Sequence, residues 1–362
     1  MLTKDAVHYY SIIRDKFKNS YLAEDANQII IGIDCDYIDS YEYSYKTLEL
    51  FYSNQKAIAP FAGLFGIFSY ETIHFFEKIE KKEKSQFEFP QFVFANAKAY
   101  LHYSKISKMY TFYGDEEKYY NFLENESFTE KPAENEIFYK IKTDLDKEKE
   151  HFYDIVEKAK EYIKMGDIFQ VVLSEQLCLE SNIDSLEFYK KLTKANPSPY
   201  MFHFPTKYGD VVGSSPEILA EILFNNIYIA PIAGTRPRGK DANEDAFLAQ
   251  DLLNDPKECA EHRMLVDLAR NDIGKFARQG SVIVKNMMHV KHYQHVMHIV
   301  SEVFGQKRND VSLFDIISSV FPAGTLSGAP KIRAMEIIGE LEEYKRNIYG
   351  GGIGFLHFNG NM

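Results

Sequence analysis

The chain has 362 residues, 45% hydrophobic and 26% charged, enough for two domains or one large α+β body of soluble, globular type. A formal net charge of -11 argues against nucleic acid or an anionic membrane as the main partner, although local donors can still hold a small anion. Three scattered cysteines without CxxC spacing (Cys35, Cys178, Cys259) suit a reducing cytoplasm and support neither zinc nor a disulfide framework. The first residues lack an apolar leader run, and no later segment is long and apolar enough to span a bilayer, so a cytoplasmic location is expected.

Residues 1–125 read as short strands and helices, with a glycine-punctuated strand over 60–71. The charged runs 77–84 and 115–136 lack apolar periodicity and read as surface loops. The second opens a charged linker, 126–147, between an N-terminal region (1–125) and a second domain (148–362). Phe152, Ile155, Val156, Ala159 and Ile163 then share one helix face, with Gly166 as C-cap. A strand over 168–174 puts Gln170, Val172 and Ser174 on one side. Residues 217–224 and 227–232 read as a hairpin closed by Asn225-Asn226, a strand is expected over 296–303, a helix over 330–340, and a glycine-rich strand over 349–354. Strands in runs with helices between, without regular βαβ alternation, indicate α+β.

The segment 257–272 draws attention to chemistry. Asp255 and Pro256 make a helix start, and Glu258 and Glu261 begin a stripe continued by Leu265 and Leu268. A core-facing side seldom tolerates two acids unless a cation or a reacting group meets them. A structural explanation exists for one of them, because Asp255 and Glu258 also fit a capping box. Gly324-Thr325-Leu326-Ser327-Gly328-Ala329-Pro330 is a candidate carboxylate cradle at a helix start, although an ordinary glycine-bearing loop is favoured about two to one. Residues 232–239 end a strand in a basic turn that holds an anion or is simply solvated. His289, His292, His295 and His298 recur every third residue, a spacing that cannot converge on one side of a strand. One of them remains a possible proton carrier. Two carboxylates without thiolate ligands make Mg²⁺ the expected metal.

Several segments together resemble the chorismate-utilising enzyme family, in its anthranilate synthase component I branch. They are 166–174, 196–202, 213–217, 231–239, 257–272, 295–298, 322–330 and 348–351, in order from about residue 60 onward. The resemblance implies antiparallel sheets packed with outer helices. It implies conversion of chorismate and ammonia to anthranilate, pyruvate and water, the first step of tryptophan biosynthesis. Family members making isochorismate or salicylate carry lysine at the position of Gln170, and those making aminodeoxychorismate carry lysine at the position of Ala233. By the same correspondence Glu261 is a Mg²⁺ ligand, Glu258 the general acid, and His298 an aid to pyruvate elimination. Gly234, Thr235, Thr325, Gly328 and Tyr349 line the chorismate site, with Thr325 counted among the catalytic residues as well.

Pro199, Tyr200 and Met201 match a feedback site for L-tryptophan, with Asp25 where the family usually has serine. Glu175-Gln176 replaces a common arginine and is expected to affect surface or sheet packing. Asn347 replaces a usual glycine and tests a backbone turn. The resemblance also implies that the last strands and helix of the family fold lie beyond Met362, so that the catalytic domain (148–362) is incomplete and the chain as given is expected to have little activity. No glutaminase constellation of Cys, His and Glu is evident, so a separate glutaminase subunit is the implied partner. Aminodeoxychorismate synthase component I and a non-catalytic tryptophan-binding or assembly subunit are the rival readings.

Overall fold

In a computed structural model of the chain, residues 2–125 and 136–362 are described. Their strands form three main antiparallel sheets. The first runs in the order Gly209–Ser215, Tyr200–Thr206, Tyr21–Glu24, Gln28–Ile33, Ala99–Ser104, Met109–Tyr113. The second runs Gly352–His357, Gly63–Phe68, Phe92–Asn96, Asp36–Asp39. In the third, the long strand Val296–Gln306 pairs with Asn226–Ile229, Ile232–Pro237 and Ile283–His292. The first two sheets take strands from both sides of the 126–147 stretch.

Side-chain alternation explains how the first sheet is covered on both faces. Ile29, Ile31 and Ile33 pack with Tyr10 and Ile13 of helix Ala6–Lys16 and with Leu186 and Tyr189 of helix Ser185–Ala195. Tyr21 and Ile30 point the other way, into a core shared with Phe65 and Val93 of the second sheet. Gly32 lies opposite Tyr21 in the ladder, and a Cβ there would come within 2.2 Å of the Tyr21 ring. A separate core joins Phe68 and Phe94 of the second sheet to Val303 of the third. Val266 and Ile273 of helix Pro256–Gly274 enter the same core. That helix is therefore fixed along its length by packing, which positions its first two turns.

Several sequence expectations need correction. Within 115–136, Glu116–Tyr119 and Asn121–Asn125 are helical, because Tyr119 and Leu123 bury against Phe17 and its neighbours. Residues 126–135 of the linker lie outside the described part. Of the remainder, Tyr139–Ile141 pairs with Leu179–Ser181 and the next helix already starts at Leu145. The strand expected over 168–174 keeps only Gln170–Val171 in a ladder. The hairpin turn sits at Phe224-Asn225, where both φ angles are positive, one residue earlier than expected. The last glycine-rich strand begins at Gly352. Gly166 caps helix Leu145–Met165 as expected, with φ 83°.

Asn347 adopts φ 51°, a left-handed conformation asparagine tolerates, and its buried side chain donates to Ser85 Oγ and the Phe87 carbonyl, each at 3.0 Å. Glu175 is half-buried. Burial, then the neighbouring Glu148 carboxylate, pushes its carboxyl up to about 8.

His203 is fully buried, with Tyr10 Oη 2.7 Å from Nδ1 and Ser185 Oγ 2.9 Å from Nε2. Burial, followed by the Arg14 charge, pushes its imidazole down to about 4. Between pH 6.5 and 4 the unfolded chain binds a proton that the folded chain refuses, so stability falls as pH drops through that window. The expected loss attributable to His203 at pH 5 relative to pH 7 is about 2 kcal/mol. Urea unfolding at both pH values checks this. A His203→Gln variant with an unaltered pH dependence would show that another group is responsible.

Candidate active site

Helix Pro256–Gly274 starts as its sequence dictates. Asp255 is extended, its carboxylate accepts from Lys257 N at 3.0 Å and Glu258 N at 3.2 Å, and Pro256 occupies the first turn. The capping box is only half made, because Asp255 N donates to the Leu252 carbonyl and not to Glu258. Among the described residues, neither Glu258 nor Glu261 forms an ion pair with Lys or Arg, and both are only partly buried. Capping therefore does not account for Glu258.

One face of this helix runs past three backbone segments that approach it closely. Glu258 meets Gly234, where a Cβ would lie 3.1 Å from Glu258 Oε2. Gly234 has φ 72° and sits in a bulge, because the register against Val296–Gln306 shifts between Ala233 and Thr235. Glycine is the residue such a bulge accepts without strain. One turn on, Gln170 Nε2 donates to Glu261 Oε1 at 2.9 Å. Two turns further, Leu268 packs where a Cβ on Gly324 would come within 2.2 Å of Cδ2. The Glu258, Glu261, Leu265, Leu268 stripe thus assembles the bulge, the Gln170 segment and the 324–328 turn around one helix.

His298 lies directly across the ladder from Thr235. Its Nδ1 is 3.0 Å from the Gly234 carbonyl and 3.1 Å from Thr235 Oγ1. A carbonyl only accepts, so this geometry assigns the proton to Nδ1 and leaves Nε2 with a free lone pair. The other three histidines do not join it. His289 and His292 lie on the neighbouring strand Ile283–His292, and His289 Nδ1 contacts the Asn286 carbonyl at 2.8 Å. The basic turn is not an anion trap: Arg236 pairs with Asp251 and Asp255, and Arg238 with Asp245.

Gly328 has φ 139° and pairs with Val171 across a short ladder, where a Cβ would meet the Gln170 carbonyl at 2.2 Å. Gly324–Ser327 makes a single helical turn, and the helix that the glycine-bearing segment was expected to enter runs over Lys331–Leu341 with Pro330 at its N-cap. The Thr325 hydroxyl donates to Glu217 Oε1. Glu217 was not singled out by sequence, although it closes the matching stretch 213–217. Burial raises its carboxyl above the usual range, and the Thr325 hydrogen bond only partly opposes this. Tyr349 is held to the same region through Arg346, whose guanidinium stacks 5.4 Å from its ring and donates to the Leu326 carbonyl at 2.7 Å.

Two partly buried carboxylates one turn apart, with no cationic side chain against them, are a donor set that fits Mg²⁺. No third His, Cys, Asp or Glu groups with them among the described residues, which leaves substrate oxygens and water as the remaining ligands.

The residues assigned to tryptophan gather elsewhere, at one end of the first sheet, where Glu24 pairs with Met201. Asp25 closes the turn into the next strand there. Its carboxylate accepts from Asn27 N at 2.7 Å, Gln28 N at 3.0 Å and Gln28 Nε2 at 2.9 Å. Tyr200 follows Pro199 at the start of its strand, and burial raises its phenol.

This arrangement of sheets, helix face and glycine turns has relatives. The chain belongs to the chorismate binding enzyme family, whose profile matches residues 11–362. It is 55% identical over 216 residues to anthranilate synthase component 1 of Acetivibrio thermocellus, covering 59% of this chain and 43% of that protein. It is 42% identical over 299 residues to the Methanothermobacter marburgensis protein of the same name, covering 83% and 64%. The chain thus spans about half the length of these curated relatives. The crystal structure of anthranilate synthase component I from Streptococcus pneumoniae superposes with a TM-score of 0.77 at 31% identity, over 95% of this chain and 81% of that one. The menaquinone-specific isochorismate synthase of Escherichia coli, 15% identical with a TM-score of 0.75 over 99% and 80%, shares the fold. Among the described residues no helix is long and apolar enough to cross a membrane.

Proposed function

We propose that this chain carries the synthase site of anthranilate synthase, converting chorismate and ammonia to anthranilate, pyruvate and water in the cytoplasm, with ammonia delivered by a glutaminase subunit. The observation that supports this best is the convergence of the Glu258 and Glu261 face on the Gly234 bulge, His298 and Gln170. Gln170 stands where the isochorismate and salicylate formers carry a water-activating lysine, and Ala233 where the aminodeoxychorismate formers carry a nucleophilic lysine, so both positions favour anthranilate synthesis.

The chemistry needs an acid for the departing C4 hydroxyl and a base for the elimination that aromatises the ring. Glu217 fits the acid, because a desolvated carboxyl keeps its proton to higher pH. Thr325 donates to one of its oxygens and leaves the other to carry that proton. Glu258, the acid implied by resemblance, lies beside Gly234 and fits better as a second carboxylate near the metal. His298 Nε2 is the base, its tautomer fixed by the Gly234 carbonyl. Gly234, Thr235, Thr325, Gly328 and Tyr349 line the substrate, and Glu261, with Glu258, would hold Mg²⁺. When bound, that ion supplies a Lewis acid for the ring carboxylate.

The test is fluorescence of anthranilate from chorismate, ammonium and Mg²⁺, with Glu261→Gln expected to lose both magnesium dependence and product. Product formation that is unchanged in Glu261→Gln would reject the metal assignment, and no anthranilate at all would reject the activity.

L-Tryptophan is proposed to bind at Asp25, Pro199, Tyr200 and Met201. The Asp25 carboxylate keeps lone-pair capacity beyond its three turn contacts, so it can accept from the tryptophan ammonium. Calorimetry with millimolar tryptophan is expected to show binding heat, and silence there would remove feedback from the proposal.

A further inference from the structure

Arg346 is 3% exposed and touches no expected reacting group, yet every face of its guanidinium is used. Nε and Nη2 donate to the two oxygens of Glu342, itself only 6% exposed, with the Nε bond at 2.8 Å. Nη2 also donates to the Val172 carbonyl, and Nη1 to the Leu326 carbonyl at 2.7 Å. The planar group stacks between Tyr70 at 4.9 Å and Tyr349 at 5.4 Å. Glu342 in turn accepts from Ser174 N at 2.8 Å and Ser174 Oγ at 3.1 Å.

We propose that Arg346 is a positioning residue that clamps the three segments carrying Gln170, Thr325 and Tyr349 at fixed distances from one another. Val172 and Ser174 lie just past Gln170, Leu326 follows Thr325, and Tyr349 N donates to the Arg346 carbonyl at 3.0 Å. The first two segments are also joined by a short ladder, Gly328 with Val171 and Ala329 with Gln170, and by Phe169 N donating to the Ala329 carbonyl at 2.8 Å and Val172 N to the Ser327 carbonyl at 2.9 Å. Arginine is required because a planar fork reaches several acceptors while its faces remain free to stack. Lysine offers a point charge and no face. The proposal rests on the reading of Thr325 and Tyr349 as substrate-lining and of Gln170 as the partner of Glu261.

A merely stabilising role is the alternative, and it predicts differently. Replacing a buried ion pair with apolar residues of similar size is often neutral for stability. The variant Arg346→Met/Glu342→Leu leaves no unpaired charge but takes partners from the Val172 and Leu326 carbonyls and from Ser174, so it is expected to unfold below the wild-type temperature while still folding. Its amides in 170–174 and 324–329 should exchange hydrogen roughly tenfold faster. Its affinity for chorismate should fall by roughly 10- to 100-fold, the usual consequence of loosening a supporting shell. Arg346→Lys, which keeps the charge opposite Glu342, should show the same local loosening and decides the matter if the apolar pair does not fold. Wild-type protection and affinity in whichever variant folds would overturn the proposal. If the wild-type protein itself binds no chorismate, the functional reading falls, and hydrogen exchange alone decides whether the clamp exists.

Discussion

Glu217→Gln is expected to lower chorismate turnover by roughly 10²- to 10⁴-fold, the range lost with a general acid. It should leave the fold as stable as before, or more so at pH values where the wild-type carboxyl ionises in the folded state. Glutamine can still accept the Thr325 hydrogen bond, so the site keeps its shape and loses only a transferable proton. The stability half follows from linkage. The folded carboxyl is raised above its unfolded value by burial, so its favourable contribution is complete below the unfolded pKa. That contribution disappears as pH rises through the folded value. An amide never ionises, so the variant should lack this decline when urea unfolding is followed upward from pH 4.5, the ordinary glutamate value. Turnover is read from anthranilate fluorescence. Near-wild-type turnover in Glu217→Gln, with a large loss in Glu258→Gln, would return the acid role to Glu258.

The acidic helix was legible because its signals are local. Asp255, Pro256 and the spacing of Glu258, Glu261, Leu265 and Leu268 specify a helix start and a face, and both exist. Gly234 and Gly328 were legible as unusual residues, but their reason is geometric: a bulge in one case and a close crossing over Gln170 in the other. Residues 168–174 misled because an apolar run with alternating faces reads as a strand whether or not neighbours exist to pair it. Tyr119 and Leu123 misled in the opposite sense, two apolar residues in a charged run that tertiary packing recruits into helical turns. Glu217 was missed because a carboxylate after Ser-Ser-Pro looks solvated. Its hydrogen-bond partner is Thr325, 108 residues later. No local pattern records a contact of that length. The Arg346 clamp is partly of the same kind: Glu342 and Tyr349 are local, but the Val172 carbonyl and the Tyr70 ring lie far away in the chain.

A second large effect is expected at Lys331→Met, which should destabilise the protein by about 3–5 kcal/mol. Lys331 is nearly buried, and its ammonium donates to Asp272 Oδ2 at 2.7 Å, Val320 O at 3.2 Å and Ser319 O at 3.3 Å. Its three protons are thus matched by a carboxylate and the last carbonyls of helix Leu313–Val320, where a cation also opposes the helix dipole. Burial is the leading influence on both partners, raising the Asp272 carboxyl and lowering the Lys331 ammonium. Desolvation therefore offsets much of the attraction, and the pair as a whole adds little net stability. Removing one member is different, because Asp272 would keep its burial with only Lys275 Nζ at 3.9 Å to compensate. The double variant Asp272→Leu/Lys331→Met should recover most of the loss in urea unfolding, a coupling that independent sites would not show. If the single variant is as stable as wild type, Asp272 must be reaching water or another cation. Lys331 opens helix Lys331–Leu341, and Arg346 follows shortly after that helix ends. The turn bearing Thr325 and Gly328 is thereby tied to the body by one buried ion pair ahead of this helix and another behind it.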